Sequence, residues 1–207
     1  MNIKAVVYDM GGVLLNLDMD RCIRSFKEKA GFAEIENYLD KFHQKGFIGE
    51  LEAGDIGPET FYEKALSHCP AGTSKETVHE CFMELLDGLN PEAVKTVQAL
   101  HGKYDLYILS NNNPISSKAF GQMKDDRGVP IFDYFKGTFF SFQMKLLKPC
   151  REIYEKMIEG TGCRPEEILF IDDSETNIAA AGALGIRTLL YKPGTDILGA
   201  LQAPDRK

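Results

Sequence analysis

Residues 4–15 read Lys4-Ala-Val-Val-Tyr-Asp9-Met-Gly-Gly-Val-Leu-Leu15. The run before Asp9 is apolar and partly β-branched, with no polar residue on alternate positions. A strand of that kind is buried on both faces, as in a parallel sheet covered by helices. Asp9 then stands at the strand's C-terminal end, the edge where open α/β sheets collect their ligands. Gly11 and Gly12 follow at once and permit the tight turn by which the chain leaves the strand.

Working outward, four more apolar segments look like strands of the same sheet. Residues 105–109 end in Ser110-Asn111, and residues 168–171 end in Asp172-Asp173. Residues 134–142 contain a further strand, and residues 187–191 another. Helices are expected between them, over 91–100 (amphipathic), 115–123, 151–159 and 175–184 (alanine-rich). Asn90 is placed to cap the first, Gly160 or Gly162 to end the third, and Gly185 to stop the last. Strands alternating with helices predict an α/β fold with a Rossmann-like, mostly parallel sheet. Residues 202–207 are expected to fray.

Residues 16–89 have a different texture. Helices are expected over 21–30, over 34–45 with Ile35, Tyr38, Leu39 and Phe42 on one face, over 58–67 and from Thr73 or Ser74 toward Leu86. Residues 49–57 read as a break, and no strand is expected here. A helical run between the first strand and the rest of an α/β pattern predicts an inserted α-helical cap over 16–89. Residues 1–15 and 90–207 then form the core.

Composition narrows the function. Of 207 residues, 27% are charged and 43% hydrophobic, the balance of a soluble globular protein, and the net charge is −7. Nucleic-acid binding is not expected, because there is no basic patch or run. No apolar stretch is long enough to span a membrane, and no secretory signal is read at the N-terminus. Five cysteines without metal-ligand spacing fit reduced thiols and a cytoplasmic location. The four histidines, at 43, 68, 79 and 101, also lack metal spacing and read as ordinary surface or core residues.

The polar residues at the strand ends carry the chemistry. In a parallel sheet Asp9, Ser110-Asn111 and Asp172-Asp173 converge on one edge. Three carboxylates in one cleft repel each other unless a cation joins them. Hard oxygen ligands suit Mg²⁺, which keeps waters and binds substrate phosphate. Ser110 and Asn111 offer hydroxyl, amide and backbone N–H groups to phosphate oxygens. Lys148, before Pro149, supplies a positive charge toward the same anion.

In this order the motifs resemble the haloacid dehalogenase-like (HAD) hydrolase superfamily. Its four motifs match Asp9-Met10-Gly11-Gly12-Val13, Ser110-Asn111, Lys148-Pro149 and Asp172-Asp173-Ser174, and the resemblance spans nearly the whole chain. Ser110–Asn113, Lys148-Pro149 with Ile153-Tyr154, and 170–173 before Asn177 look most like the glucose-1-phosphatase-like branch. The resemblance implies a phosphatase in which Asp9 attacks phosphorus and forms an aspartyl-phosphate. It implies Mg²⁺ held by Asp9, the Gly11 carbonyl and Asp173, with Asp172 acting through a water or as an orienting group. Ser110, the Asn111 backbone and Lys148 would hold the phosphoryl group. His43 and Glu52 lie near the break in the cap, where they can face the substrate.

At one position the chain departs from that pattern. Most phosphatases of the superfamily carry an aspartate two residues after the nucleophile as general acid and base, and here that residue is Gly11. Without a proton donor, leaving-group acidity sets the rate. The expected order is aryl or acyl phosphate, then sugar 1-phosphate, then sugar 6-phosphate, so among sugars a 1-phosphate is favoured. The rival readings are a dehalogenase, a phosphomutase and a non-catalytic phospholigand-binding protein on the same fold.

Overall fold

The computed structural model of the chain describes residues 3–40 and 44–202. In chain order the elements are β1 (Ala5–Tyr8), β2 (Leu15–Leu17), α1 (Met19–Ser25), α2 (Gly46–Ala53), α3 (Pro58–Leu66), α4 (Lys75–Met83), β3 (Leu86–Leu89) and α5 (Pro91–Leu100). They continue with β4 (Asp105–Ser110), α6 (Pro114–Gln122), β5 (Gly137–Phe140), α7 (Ser141–Met144), α8 (Arg151–Thr161), β6 (Ile168–Asp172), α9 (Glu175–Gly182), β7 (Arg187–Leu190) and α10 (Ile197–Gln202).

Five strands form one sheet in the order β5-β4-β1-β6-β7, every pair parallel. The fold is the Rossmann-like α/β architecture expected from the sequence. β1 lies at the centre, and Tyr8 is level with Ile108 on one side and Ile171 on the other. The ends of β1, β4 and β6 therefore meet at one edge.

The apolar run of β1 is explained by its two covered faces. Val6 and Tyr8 pack with Leu106, Ile108, Leu169 and Ile171 against Ala93, Val94 and Val97 of α5. Ala5 and Val7 turn the other way, with Tyr107, Leu109 and Phe170, against Ile153, Tyr154 and Met157 of α8. Burying each such side chain contributes about 1.5–3 kcal/mol. Alternate residues along the strand thus serve two different cores.

A third core belongs to the segment between β2 and β3. Cys22, Phe26, Phe32, Phe47, Phe61 and Phe82 are buried together there, and Ile115 of α6 packs against them from the sheet side.

Several local expectations are corrected in this segment. β2 and β3 pair antiparallel where the chain leaves the sheet and returns to it, although no strand was expected in 16–89. They are three and four residues long and mostly not buried, so they leave no alternation to read. Residues 34–40 hold one 3₁₀ turn, Ile35–Asn37, instead of the start of a helix. Phe42 and His43 lie outside the described residues. Residues 46–53, which overlap the expected break, form α2. Glycines 46 and 49 argue against helix locally, but Phe47, Ile48 and Leu51 are buried along one side and tertiary packing prevails.

Elsewhere the differences are small. Residues 131–134 form a 3₁₀ turn, β5 covers only four of the residues expected to extend, and Phe142 belongs to α7. α8 runs through Gly160 and is ended by Gly162. Asn90 caps α5, its side chain accepting the Glu92 N–H.

Candidate active site

Asp9 begins where β1 ends. Its own N–H donates to the Ile171 carbonyl at 2.8 Å, and its Oδ1 accepts the Met10 N–H at 2.7 Å. The carboxylate is therefore aimed by backbone on both sides. Gly12 has φ +76°, and a Cβ there would lie 2.5 Å from Asp173 Oδ2. Only glycine lets the loop pass so close to the second carboxylate. Gly11 lacks that constraint: its φ is outside the left-handed region, and a Cβ would meet Leu17 Cδ1 at 3.1 Å.

Lys148 is 2% exposed and sits between two acids. Its Nζ is 2.9 Å from Asp9 Oδ1 and 2.6 Å from Asp172 Oδ2. Its backbone is pinned by Asn111, whose Nδ2 donates to the Lys148 carbonyl at 2.9 Å and whose Oδ1 accepts the Lys148 N–H at 2.7 Å. The Asn111 side chain is thus committed to structure, which leaves its backbone for a ligand. Ser110 lies at the end of β4, buried, and lines the same cavity.

Asp172 is fully buried and does not line the cavity. Its Oδ1 accepts the Ser174 N–H at 2.8 Å and Asn177 Nδ2 at 3.0 Å, and its Oδ2 accepts Asn177 Nδ2 at 3.1 Å besides the lysine. The structure gives it the surroundings of an anchor for Lys148. Asp173, by contrast, faces the cavity.

One carboxylate oxygen from each of Asp9, Asp172 and Asp173 lies within 4.8 Å of the others. Three carboxylates against one ammonium leave two formal negative charges in a mostly buried cluster. Burial, with Asp172 and Asp173 adding to it, pushes the Asp9 pKa up to about 7 against the pull of Lys148. Burial disfavours the Lys148 ammonium, but Asp172 and Asp9 outweigh it and hold its pKa above the ordinary lysine value. A cluster of hard oxygen donors with surplus negative charge fits Mg²⁺.

The cavity above these residues measures about 550 Å³. Sequence reading missed part of its wall: Asn112, Asn113 and Ser116 line it below, Gln44 from the helical segment. Asn113 caps α6 through Oδ1, which accepts from the Ile115 and Ser116 N–H groups. Asn-Asn after a strand is ordinary turn chemistry in a sequence, so only the fold shows that these residues face a cavity. Glu52 also lines it, as expected from its place in the helical segment. His68 instead stacks on Phe32, His79 bonds Tyr62, and His101 packs on Tyr134, all away from the cavity.

The family model for haloacid dehalogenase-like hydrolase matches residues 3–185. The chain is 31% identical over 195 residues to a D-ribitol-5-phosphate phosphatase of Bacteroides thetaiotaomicron, covering 94% of each chain. It is 26% identical over 193 residues to a phosphorylated carbohydrates phosphatase of Thermotoga maritima, covering 90% of this chain and 83% of that one. Among solved structures, a HAD family enzyme of Bacteroides thetaiotaomicron in complex with magnesium and inorganic phosphate superposes with a TM-score of 0.86. It shares 34% identity and covers 95% of this chain and 98% of its own. The chain belongs to the haloacid dehalogenase-like hydrolase family, among relatives named as phosphatases.

Proposed function

We propose that this enzyme is a Mg²⁺-dependent phosphatase of small phosphorylated sugars or polyols, acting through an aspartyl-phosphate on Asp9. The observation that carries this reading is the pairing of a backbone-aimed, buried carboxylate with a buried lysine at the floor of one cavity. The named relatives support the substrate class, and the magnesium and phosphate in a similar enzyme support the cofactor. Within the family, the Ser110–Asn113 run and Asn177 favour the glucose-1-phosphatase-like branch. The five free cysteines favour a reducing, cytoplasmic setting.

Asp9 attacks phosphorus in line, the ester oxygen leaves, and water then hydrolyses the aspartyl-phosphate. Ser110, the Asn111 backbone and Lys148 hold the phosphoryl oxygens as charge builds on them. Asp172 keeps Lys148 charged and in place. Asp9, Asp173 and the Gly11 carbonyl would hold Mg²⁺, whose charge offsets that of the carboxylates and the phosphoryl group. Residues 16–89 act as the cap that covers the cavity and selects the leaving group.

The 1-phosphate preference expected from Gly11 applies only where nothing else donates a proton to the leaving oxygen. A dehalogenase would have no use for the surplus negative charge at Asp173, and a binding protein would release no phosphate. The test is phosphate release from ribitol 5-phosphate and sugar phosphates, with chelator and with Mg²⁺ restored. Activity should vanish and return, and Asp173→Asn should weaken metal binding and turnover together. Full activity in excess chelator overturns the metal assignment.

A further inference from the structure

Three carboxyl groups line the cavity among the described residues: Asp9, Asp173 and Glu52. The first two have roles in the reading above. Glu52 has none, and it is the one titratable group that the described part of the helical segment presents to the cavity.

Glu52 is held in place from the sheet side. Ser141 Oγ, at the start of α7, lies 2.6 Å from the Glu52 carbonyl and donates to it. The same oxygen accepts the Asn112 N–H at 2.9 Å, so one hydroxyl ties α2 to the loop that carries Ser110 and Asn111. Gly54, which ends α2 with φ +76°, presses on α7 so closely that a Cβ would lie 2.2 Å from the Phe142 carbonyl. α2 is therefore docked closely on α7 beside the cavity.

The Glu52 carboxyl itself makes no hydrogen bond or ion pair with a described residue. It is left free to meet a ligand, close enough to Asp9 and Lys148 to feel both charges. Desolvation, reinforced by Asp9 and opposed by Lys148, raises its pKa to about 8. A general acid near neutral pH needs a value in that region. Two other protic groups lining the cavity are placed differently: Tyr191 is buried with its Oη held by Asn90 Nδ2, which donates to it at 2.8 Å, and Lys192 is exposed.

We propose that Glu52, from the helical segment, is the general acid and base of this enzyme, doing the work for which Gly11 has no side chain. The inference rests on the phosphatase reading. As Asp9 attacks, the P–O bond of the ester breaks, its electron pair goes to the leaving oxygen, and Glu52 gives that oxygen its proton. A neutral alcohol departs and Glu52 becomes a carboxylate. Water then attacks the phosphorus of the aspartyl-phosphate, and Glu52 takes the proton that the water loses. The bond to Asp9 breaks, inorganic phosphate is released, and both carboxyl groups return to their starting states. Esters of primary alcohols, such as sugar and polyol phosphates, then become accessible substrates, and the order expected from Gly11 alone is flattened.

The test compares ribitol 5-phosphate with aryl phosphates of graded phenol acidity, in the unmodified protein and in Glu52→Gln, both loaded with Mg²⁺. The variant should lose about 10²–10⁴-fold in kcat/KM on the alkyl ester. Its rates on the aryl series should depend more steeply on leaving-group acidity. With 4-nitrophenyl phosphate it should release one nitrophenol per active site in a burst and then slow, because the aspartyl-phosphate lacks its base. Glu52→Asp, which keeps an acid on a shorter arm, should recover part of the alkyl rate and the shallow slope, which a merely structural defect would not allow. Calorimetric Mg²⁺ affinity and melting temperature identify a variant that has failed to fold, and Glu52→Asp then decides the matter by its slope. Equal losses on both ester types, with the slope unchanged and no burst, overturn the role of Glu52 while the phosphatase stands. If the unmodified protein releases phosphate from neither ester, the phosphatase reading falls and this inference falls with it.

Discussion

The floor and the roof of the cavity are built in opposite ways. On the floor, three charged side chains are tied down: Asp9 by backbone, Lys148 by two carboxylates, and Asp172 by Ser174 and Asn177. On the roof, Glu52 is fixed only through its main chain, by Ser141, and its carboxyl is unattached. A preorganised floor costs no rearrangement when charge develops on a phosphoryl group. An unattached carboxyl on α2 is free to meet ligands of different shape. The contrast separates a fixed chemistry below from an adaptable contact above.

The contrast is broken most severely by removing the proposed nucleophile. Asp9→Asn should lower kcat on the order of 10⁴-fold or more on every substrate, because an amide does not attack phosphorus. Beryllium fluoride, which mimics the aspartyl-phosphate, should be retained by the unmodified protein and not by the variant. Near-normal kcat in a pure sample would make water the attacking group.

Lys148→Met should act on both stability and rate. It leaves Asp9 and Asp172 buried and unpaired, a change that typically costs about 3–5 kcal/mol. Denaturant unfolding should show it, and phosphate release should fall about 10²–10³-fold, the scale of one lost charge-stabilising group. A Lys148→Met protein as stable as its parent would mean that the carboxylates are protonated or otherwise partnered.

The two adjacent glycines sharpen the comparison within the floor itself. Gly12→Ala meets a left-handed backbone and the Asp173 carboxylate at 2.5 Å, so it should weaken Mg²⁺ binding and activity together. Gly11→Ala has only the exposed Leu17 side chain to displace and should change both by less than about threefold. Equal effects at the two positions would show that the close approach at Gly12 does not matter.

A further expected effect concerns the tether between floor and roof. Ser141→Ala removes a hydroxyl that bonds both Glu52 and Asn112, typically about 1–3 kcal/mol when buried partners are left unsatisfied. If that bond places Glu52, the loss in kcat/KM should be larger for ribitol 5-phosphate than for 4-nitrophenyl phosphate. A uniform loss across both would assign the hydroxyl to stability alone.

Much of the floor was legible in the chain. Apolar runs ending in Asp9, Ser110 and Asp172 announce strands of a covered parallel sheet, and a parallel sheet obliges those ends to share an edge. Local pattern failed where elements are short or where packing overrides propensity. β2 and β3 are too short to alternate. α2 forms despite Gly46 and Gly49, because Phe47, Ile48 and Leu51 have a core to enter.

By itself, the sequence determined the α/β class, the strand that ends at Asp9 and the set of polar residues at the strand ends, because periodicity and burial follow directly from the order of side chains. It also revealed that Gly11 carries no acid. Only the tertiary structure decided how those residues divide their work. Asp172 turns inward to hold Lys148 while Asp173 faces the cavity, though the two are adjacent in sequence. Gly12 and not Gly11 is the constrained glycine, and Glu52 is brought over a floor more than forty residues away in the chain. The physical reason is that desolvation, ion pairing and close approach depend on distances between segments, and those distances exist only once the three cores have packed.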